Sequence, residues 1–276
     1  MKISIIQINS KENDRDSNVE KAKKWIAKAA RARPDIIVLP EFFNTEYFPQ
    51  YRDYKYYRYA EREDGHTISA MRALAQKYSL HIVATIYEEE MPGYYYDTAM
   101  VIDPQGNTAG KYRKIHPAAV KSLEKIYFRP GSKFRIFQIN GWKVGILICY
   151  DYRFPETVRC LALLGAELVI IPFATLGTEM FSRVLPTRAW ENSLYIAACN
   201  KVGKEGDWVF PGDSMIVDPA GKIIKRAGGK EATLCVEIDL SYVHQIRMMN
   251  TVFRDRRPEM YRMIAEYEDE FHSQKV

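Results

Sequence analysis

Three side chains of this sequence could take part in chemistry. Two of them follow apolar runs, and the third lies in a basic segment. Glu41 comes two residues after the run Ile36–Leu39, and Cys149 directly follows the run Val144–Ile148. Lys114 lies in a basic segment after a predicted hairpin. A carboxylate at the end of a buried strand costs free energy unless it is paired or used. A thiol becomes a strong nucleophile near pH 7 when a base or a cation lies beside it, so these residue types together suit attack on an amide carbonyl.

Each of the three residues also has an ordinary structural explanation. A single cysteine is most often a small buried hydrophobe, a glutamate at a strand end often caps a loop, and a lysine among other bases is usually solvated. The four cysteines contain no CxxC pair, and the five histidines contain no HxxxH pair. We therefore predict no metal site and no disulfide framework.

The elements that would position these residues are apolar, β-branched runs of strand length. They are Ile3–Ile8, Ile36–Leu39, Ile82–Ile86, Ala99–Ile102, Val144–Ile148, Leu168–Ile171, Tyr195–Ala198, Met215–Val217 and Leu234–Ile238. Between some of them, residues 19–30 and 68–75 show the spacing of amphipathic helices, and Pro155 opens a third helix that Gly165 closes. Strands that alternate with helices predict an α/β fold.

Four segments of the first half reappear in the second half in the same order. The pairs are Lys2–Ile8 with Lys143–Cys149, Asp35–Pro40 with Glu167–Pro172, His81–Thr85 with Tyr195–Cys199, and Met100–Gly106 with Met215–Gly221. We predict one plan used twice: two sheets packed face to face with helices outside, a four-layer α-β-β-α sandwich with internal pseudo-duplication. On this plan we expect Glu41 and Cys149 to end equivalent strands and to lie near one another.

The remaining features of the chain set its class. We treat residues 1–276 as a single domain, because no long Pro-, Gly- or Ser-rich linker separates the halves, with a charged helix or tail over about 258–276. The net charge is +5, and its Lys and Arg residues alternate with Asp and Glu, which argues against a nucleic-acid partner. No apolar run has the length of a membrane span or of a signal peptide, so we expect a cytoplasmic protein with no membrane partner.

A family pattern of three segments occurs in order along the chain. The segments are Val38-Leu39-Pro40-Glu41-Phe42, Tyr112-Arg113-Lys114-Ile115-His116, and the stretch Gly145–Glu156 that contains Cys149. Together they resemble the nitrilase superfamily of carbon–nitrogen hydrolases, from Lys2 to about Ile246. The resemblance implies the α-β-β-α sandwich, with Cys149 as nucleophile, Glu41 as general base and Lys114 as oxyanion stabiliser. It also implies that Glu124 supports the lysine and positions substrate, that no cofactor is needed, and that the chain forms a homodimer or a higher homo-oligomer.

The residues after the cysteine bear on the substrate. Nitrilases of this superfamily usually carry Trp-Glu there, whereas this chain has Tyr150-Asp151, which resembles the amidase and carbamoylase branches. We therefore expect hydrolysis of a small carboxamide to a carboxylic acid and ammonia through a cysteine thioester. The alternative substrate is an N-carbamoyl amine or amino acid. The candidate substrate-binding residues are Tyr47, Tyr150, Arg153, Phe173 and Thr175.

Two assignments stay open at this point. Arg153 either binds a carboxylate of the substrate or forms a salt bridge with Glu156 or Glu191. His116, two residues after Lys114, is a second candidate for the catalytic base, although packing or loop support is its more ordinary role.

Overall fold

Two six-stranded β-sheets form the centre of the computed structural model, which describes residues 1–266. The strands are β1 (Lys2–Gln7), β2 (Ile36–Val38), β3 (His81–Met91), β4 (Tyr94–Ile102), β5 (Thr108–Arg113), β6 (Ile136–Ile139), β7 (Trp142–Ile146), β8 (Leu168–Pro172), β9 (Tyr195–Cys199), β10 (Val202–Glu205), β11 (Trp208–Pro211), β12 (Met215–Val217), β13 (Ile223–Arg226) and β14 (Ala232–Glu237). The helices are α1 (Arg15–Ala30), α2 (His66–Tyr78), α3 (Glu124–Tyr127), α4 (Pro155–Leu163), α5 (Thr178–Asn192), α6 (Leu240–Met249), α7 (Val252–Asp255) and α8 (Arg262–Ala265).

The two sheets repeat one topology. Their strand orders are β14-β1-β2-β3-β4-β5 and β13-β12-β9-β8-β7-β6. In each sheet three neighbouring strands are parallel, β1 to β3 and β7 to β9, and the strands of the following hairpin continue antiparallel. Each half of the chain contributes one strand to the sheet of the other half. β6 follows β5 in the chain but pairs with β7, and β14 follows β13 but pairs with β1. The predicted pseudo-duplication is confirmed.

Successive residues of β2 pack on opposite faces of the sheet and so show how the layers are arranged. Ile36 lies in the core between the two sheets with Val38, whereas Ile37 packs with Leu39 in a separate core beneath α1 and α2. Successive side chains of a strand point to opposite faces, so a strand covered on both faces must be apolar throughout. Helices α4 and α5 cover the second sheet through residues such as Val158 and Leu185. The predicted four-layer α-β-β-α sandwich is therefore confirmed.

The duplication does not relate the two reactive residues as we expected. By strand order β7 corresponds to β1, and β2 corresponds to β8. Glu41 and Cys149 thus follow strands that are not equivalent, and the prediction that they end equivalent strands was wrong. They converge because the carboxyl ends of β2 and β7 belong to facing sheets.

Two regions differ from the elements that the sequence pattern predicts. Helix α5 contains Pro186 in its interior, which hides its periodicity from a sequence-based assignment. The expected C-terminal helix or tail begins as a turn of 3₁₀-helix at Pro258–Met260 and continues in the short α8. Residues 267–276 of that prediction lie outside the described part of the chain. Between residues 1 and 266, no helix has both the length and the apolar character required to cross a membrane.

A buried ion pair attaches the β10–β11 hairpin to the first half of the molecule. Lys201 donates from Nζ to both carboxylate oxygens of Glu205, at 2.9 and 2.8 Å, and also to the Ser10 hydroxyl at 2.8 Å. The Glu205 carboxylate accepts the backbone N–H of Ser10 at 2.6 Å and that of Tyr47 at 2.9 Å. Both charged side chains are fully buried. One ion pair therefore fixes the hairpin against the loops that follow β1 and β2.

Breaking this pair on one side should destabilise the protein. We expect Glu205→Gln to lower the free energy of unfolding by about 3 kcal/mol or more, because it leaves the Lys201 ammonium buried without its counter-charge. Urea denaturation followed by circular dichroism measures the change. The double variant Lys201→Met/Glu205→Gln is the matched control, because it removes the ammonium and keeps the same glutamine, and it should recover most of the loss. Equal destabilisation of the single and double variants would contradict a charge-based effect.

Candidate active site

The ammonium group of Lys114 lies in the middle of three buried carboxylates. Lys114 Nζ is 2.7 Å from Glu41 Oε1, 2.8 Å from Glu124 Oε2 and 3.3 Å from Asp97 Oδ2. The side chains of all four residues are at most 1% exposed. Oxygens of the three carboxylates lie within 4.8 Å of one another, close enough to share a cation. The cation that they surround is the lysine itself, and a metal ion would have to displace it.

The segment that carries Lys114 is held by backbone contacts. Its N–H donates to the carbonyl of Asp97 at 2.9 Å, and its carbonyl accepts the N–H of Gly131 at 2.7 Å. A Cβ at Gly131 would lie 2.1 Å from the carbonyl oxygen of Arg113, so only glycine permits this approach. The lysine is thus fixed between β4 and the segment before β6.

Glu41 leaves the end of β2 on a tightly bonded turn. The next residue, Phe42, has a positive φ of 50° and donates its N–H to the Thr85 hydroxyl at 3.0 Å. That hydroxyl donates in turn to the carbonyl of Pro40 at 2.8 Å. The glutamate is therefore bracketed on both sides by one threonine of β3.

Glu124 opens α3 and is held by donors other than the lysine. Its Oε1 accepts the Tyr47 hydroxyl at 2.5 Å, and its Oε2 accepts the backbone N–H of Ala118 at 2.8 Å. The Tyr47 ring stacks on Trp208 of the hairpin, with centroids 4.9 Å apart. Burial raises the pKa of Glu124, with the Glu41 carboxylate adding to the shift and Lys114 opposing it. Glu124 thus contacts Lys114 directly, which is the geometry that the predicted supporting role requires.

Cys149 begins a short 3₁₀-helix, Cys149–Arg153, at the end of β7. Its φ of 41° is in the left-handed region that non-glycine residues rarely adopt. Asp151 fixes this turn, because its buried carboxylate accepts the backbone N–H of Ile148 at 3.1 Å and the Tyr112 hydroxyl at 2.8 Å. The N–H of Tyr150 belongs to the first turn, where N–H groups have no partner within the helix. This N–H is available to an oxyanion formed at the thiol.

The charges around Cys149 determine its resting protonation state. Burial raises the pKa of the Cys149 thiol well above its usual value, and the Glu41 carboxylate raises it further, against a smaller opposing effect of Lys114. Burial alone would lower the pKa of Lys114, but the facing carboxylates of Glu124 and Glu41 outweigh it and raise that pKa. Both directions favour a protonated thiol beside a charged ammonium group, so a neighbouring base would promote ionisation of the thiol.

His116 contacts Asp151 and Phe154 and does not belong to the cluster around Lys114. Its Nδ1 lies 2.8 Å from Asp151 Oδ1, and its ring stacks on Phe154 with centroids 3.9 Å apart. The Asp151 carboxylate also accepts the N–H of His116 at 3.0 Å. This placement matches loop support at the Cys149 turn, and the carboxylate cluster around Lys114 contains no histidine in the described residues.

A cavity of about 360 Å³ opens onto Cys149 and Glu124. Of the predicted substrate-binding residues, Tyr47, Tyr150, Arg153 and Thr175 line it. Phe173 does not. Its ring is fully buried and packs on Tyr152 and Phe181, with centroids 5.3 and 4.5 Å apart. Since Tyr152 lines the cavity, we correct Phe173 from a substrate contact to a residue that backs the wall.

Sequence reasoning missed Asp97 and Trp208. Asp97 lies inside the buried strand β4, and a carboxylate in such a run is the same signal that identified Glu41. Trp208 reaches the cavity from the β10–β11 hairpin. By strand order its counterpart is the outer end of the long β3–β4 hairpin, which lies outside the four repeated segments, so the repeat pattern did not indicate it.

Known proteins resemble this chain over nearly its whole length. It matches the carbon–nitrogen hydrolase family over residues 2–248. A protein named nitrilase from Pyrococcus abyssi is 36% identical, over 95% of this chain and 99% of that protein. An omega-amidase from Xenopus laevis is 32% identical, over 90% of this chain and 92% of that protein. An N-carbamoylputrescine amidase from Solanum lycopersicum is 34% identical, over 91% of each.

Solved structures show the same fold. A carbon–nitrogen hydrolase from Helicobacter pylori G27 matches with a TM-score of 0.92 and 28% identity, over 97% of this chain and 98% of that chain. A mutant amidase from Nesterenkonia sp. AN1 matches with a TM-score of 0.84 and 28% identity, over 95% of each chain. That structure shows covalent addition of the acetamide moiety of fluoroacetamide at the active-site cysteine. By sequence and by fold, this chain belongs to the carbon–nitrogen hydrolase family of the nitrilase superfamily.

Proposed function

We propose that this protein hydrolyses a small carboxamide to a carboxylic acid and ammonia through a thioester on Cys149. The observation that carries the proposal is the buried cluster of Lys114, Glu41 and Glu124 beside a thiol at the floor of a cavity. The cluster supplies a base, a cation and a nucleophile in one solvent-poor site. A cavity of about 360 Å³ matches a small substrate.

The first half of the reaction forms the thioester. Glu41 takes the thiol proton as the sulfur of Cys149 attacks the amide carbon, and the carbonyl oxygen gains negative charge. Two N–H groups of Lys114 face Glu41 and Glu124, so the third is left to stabilise that oxygen together with the N–H of Tyr150. The C–N bond then breaks as Glu41 returns the proton to the nitrogen, and ammonia leaves.

The second half releases the acid. Glu41 takes a proton from water, and the hydroxide attacks the thioester carbon. The C–S bond breaks, the thiol regains its proton from Glu41, and the carboxylic acid departs. The two halves use the same base and the same oxyanion donors, so one rigid cluster serves both.

The charges at the cavity favour a substrate that carries a carboxylate of its own. Arg153 and Lys121 line the cavity, and its only acidic lining residue among those described is Glu124, which Lys114 neutralises. No carboxylate of the described residues pairs with Arg153, because Glu191 is bound to Arg188 at 3.1 Å and Glu156 forms no ion pair. The salt-bridge alternative for Arg153 is thus not realised. We propose an ω-amide of a short carboxylic acid as the preferred class, in line with the omega-amidase relative.

An N-carbamoyl substrate is the second candidate, because the same thiol chemistry serves it and an N-carbamoylputrescine amidase is a relative of comparable identity. A cationic amine substrate would meet Arg153 and Lys121 unfavourably, whereas an N-carbamoyl amino acid would not. Carbon dioxide is released with ammonia from a carbamoyl group, and ammonia alone from a carboxamide.

We expect ammonia release from small ω-amides to fall about a thousandfold or more in Cys149→Ala, because no other thiol lines the cavity in the described residues. The assay compares aliphatic amides, ω-amides, N-carbamoyl compounds and nitriles in parallel, with carbon dioxide measured alongside. Cys160→Ala is the matched control, since this cysteine lies on α4, and it should retain wild-type turnover. Turnover that persists in Cys149→Ala would refute the thiol mechanism.

Arg153→Gln should separate the substrate classes. We expect kcat/KM to fall roughly 10- to 100-fold for an ω-amide that carries a carboxylate, the size of a lost hydrogen bond to a charged group. A neutral amide of equal length should be hydrolysed as well as by the wild type. Lys125→Gln, an exposed basic residue outside the cavity lining, controls for a general change in charge. An equal loss on both substrates would show that Arg153 does not read the carboxylate.

A further inference from the structure

The Asp97 carboxyl group is buried without any hydrogen-bond donor in the described residues. Both of its oxygens lack a partner, and so does Oε2 of Glu41. Lys114 Nζ stands 3.3 Å from Asp97 Oδ2 but is engaged at shorter range by Glu41 and Glu124. An ionised carboxylate in such a place would lose its hydration with only the more distant ammonium of Lys114 to compensate.

The net charge of the cluster also favours protonation of one carboxylate. Glu41, Asp97 and Glu124 would carry three negative charges, whereas Lys114 supplies one positive charge. Tyr87 lies opposite Asp97 on β3, and its buried hydroxyl has no partner and so donates nothing to the cluster. The cluster would therefore carry an excess of negative charge, and one proton on a carboxylate would reduce that excess.

Two carboxyl groups side by side can form a hydrogen bond only if one of them is protonated. We propose that Asp97 remains a neutral acid that donates its proton to the Glu41 carboxylate and so positions and preserves the catalytic base. The inference deepens the proposed function and rests on the role given there to Glu41. Burial raises the pKa of Asp97 well above its usual range, the nearby Glu41 carboxylate adds to the shift, and Lys114 opposes it. Asp97 is in this sense a positioning residue, because it acts through Glu41.

A neutral Asp97 has two consequences for catalysis. The hydrogen bond that it donates stabilises the ionised form of Glu41, the form that accepts the thiol proton. In addition, a neutral neighbour competes weakly for the third N–H of Lys114, so that this N–H stays free for the oxyanion. An ionised Asp97 would instead destabilise the ionised form of Glu41 and would compete strongly for this N–H of Lys114.

Two substitutions at this position separate a proton donor from a packing residue. Asp97→Asn keeps the shape and offers an amide N–H to Glu41, so kcat/KM on the best substrate should stay within about threefold of the wild type. Asp97→Leu keeps the branched shape but removes the donor, and kcat/KM should fall about 10- to 100-fold. A loss in Asp97→Asn as large as that in Asp97→Leu would overturn the proposal.

Infrared spectroscopy tests the proton directly and needs no turnover. We expect the wild-type enzyme at pH 7 to show the carbonyl band of a protonated carboxylic acid, and the difference spectrum against Asp97→Asn to show its loss. Absence of that loss would mean that Asp97 is ionised and the proposal is wrong. Because the spectrum is recorded without substrate, an inactive wild type would refute the proposed function and leave this result to stand on its own.

Discussion

The burial of one lysine among three carboxylates is the constraint on which the rest of this structure depends. Removing an ammonium group from water is costly, and only close counter-charges make it tolerable. Lys114 obtains them from Glu41 at a strand end and from Glu124 in a short helix, and the Asp97 carboxyl group in a strand interior lies beside it. Each of these segments must therefore be held to within a hydrogen-bond length. The bonds at Gly131, Thr85 and Tyr47 accordingly serve the position of one nitrogen atom.

The same requirement explains how the two halves are joined. The carboxylates and the lysine come from the first half of the chain, and the Cys149 thiol comes from the second. Asp151 connects them, since its carboxylate binds the backbone before Cys149 and also Tyr112, two residues before Lys114. The β10–β11 hairpin adds a second connection through Glu205 and Tyr47. A pseudo-symmetric scaffold thus carries an asymmetric site, because each half contributes different chemistry to the gap between the sheets.

The cavity relates this chemistry to substrate choice. Its floor includes the buried side chains of Cys149 and Glu124, whereas its rim carries the exposed basic side chains of Arg153 and Lys121. In the proposed mechanism, the floor serves any small amide or carbamoyl group that can be attacked by sulfur. Selectivity then depends on the rim, where charge distinguishes an acid-bearing substrate from a cationic one.

The sequence by itself determined the α-β-β-α plan and indicated Glu41, Lys114 and Cys149 as the candidate catalytic residues. Strands such as Ile36–Val38 are apolar on both faces, which only burial between two layers permits, and Glu41 and Cys149 interrupt such runs where an unused polar group would be costly. Tertiary structure alone decided which strands are equivalent, that Asp97 joins the cluster, and that Phe173 lies behind the wall. It also placed His116 on Asp151 and brought Trp208 over Tyr47. These features depend on contacts between segments far apart in the chain, and a local pattern records the burial of a residue but not the partner that it meets.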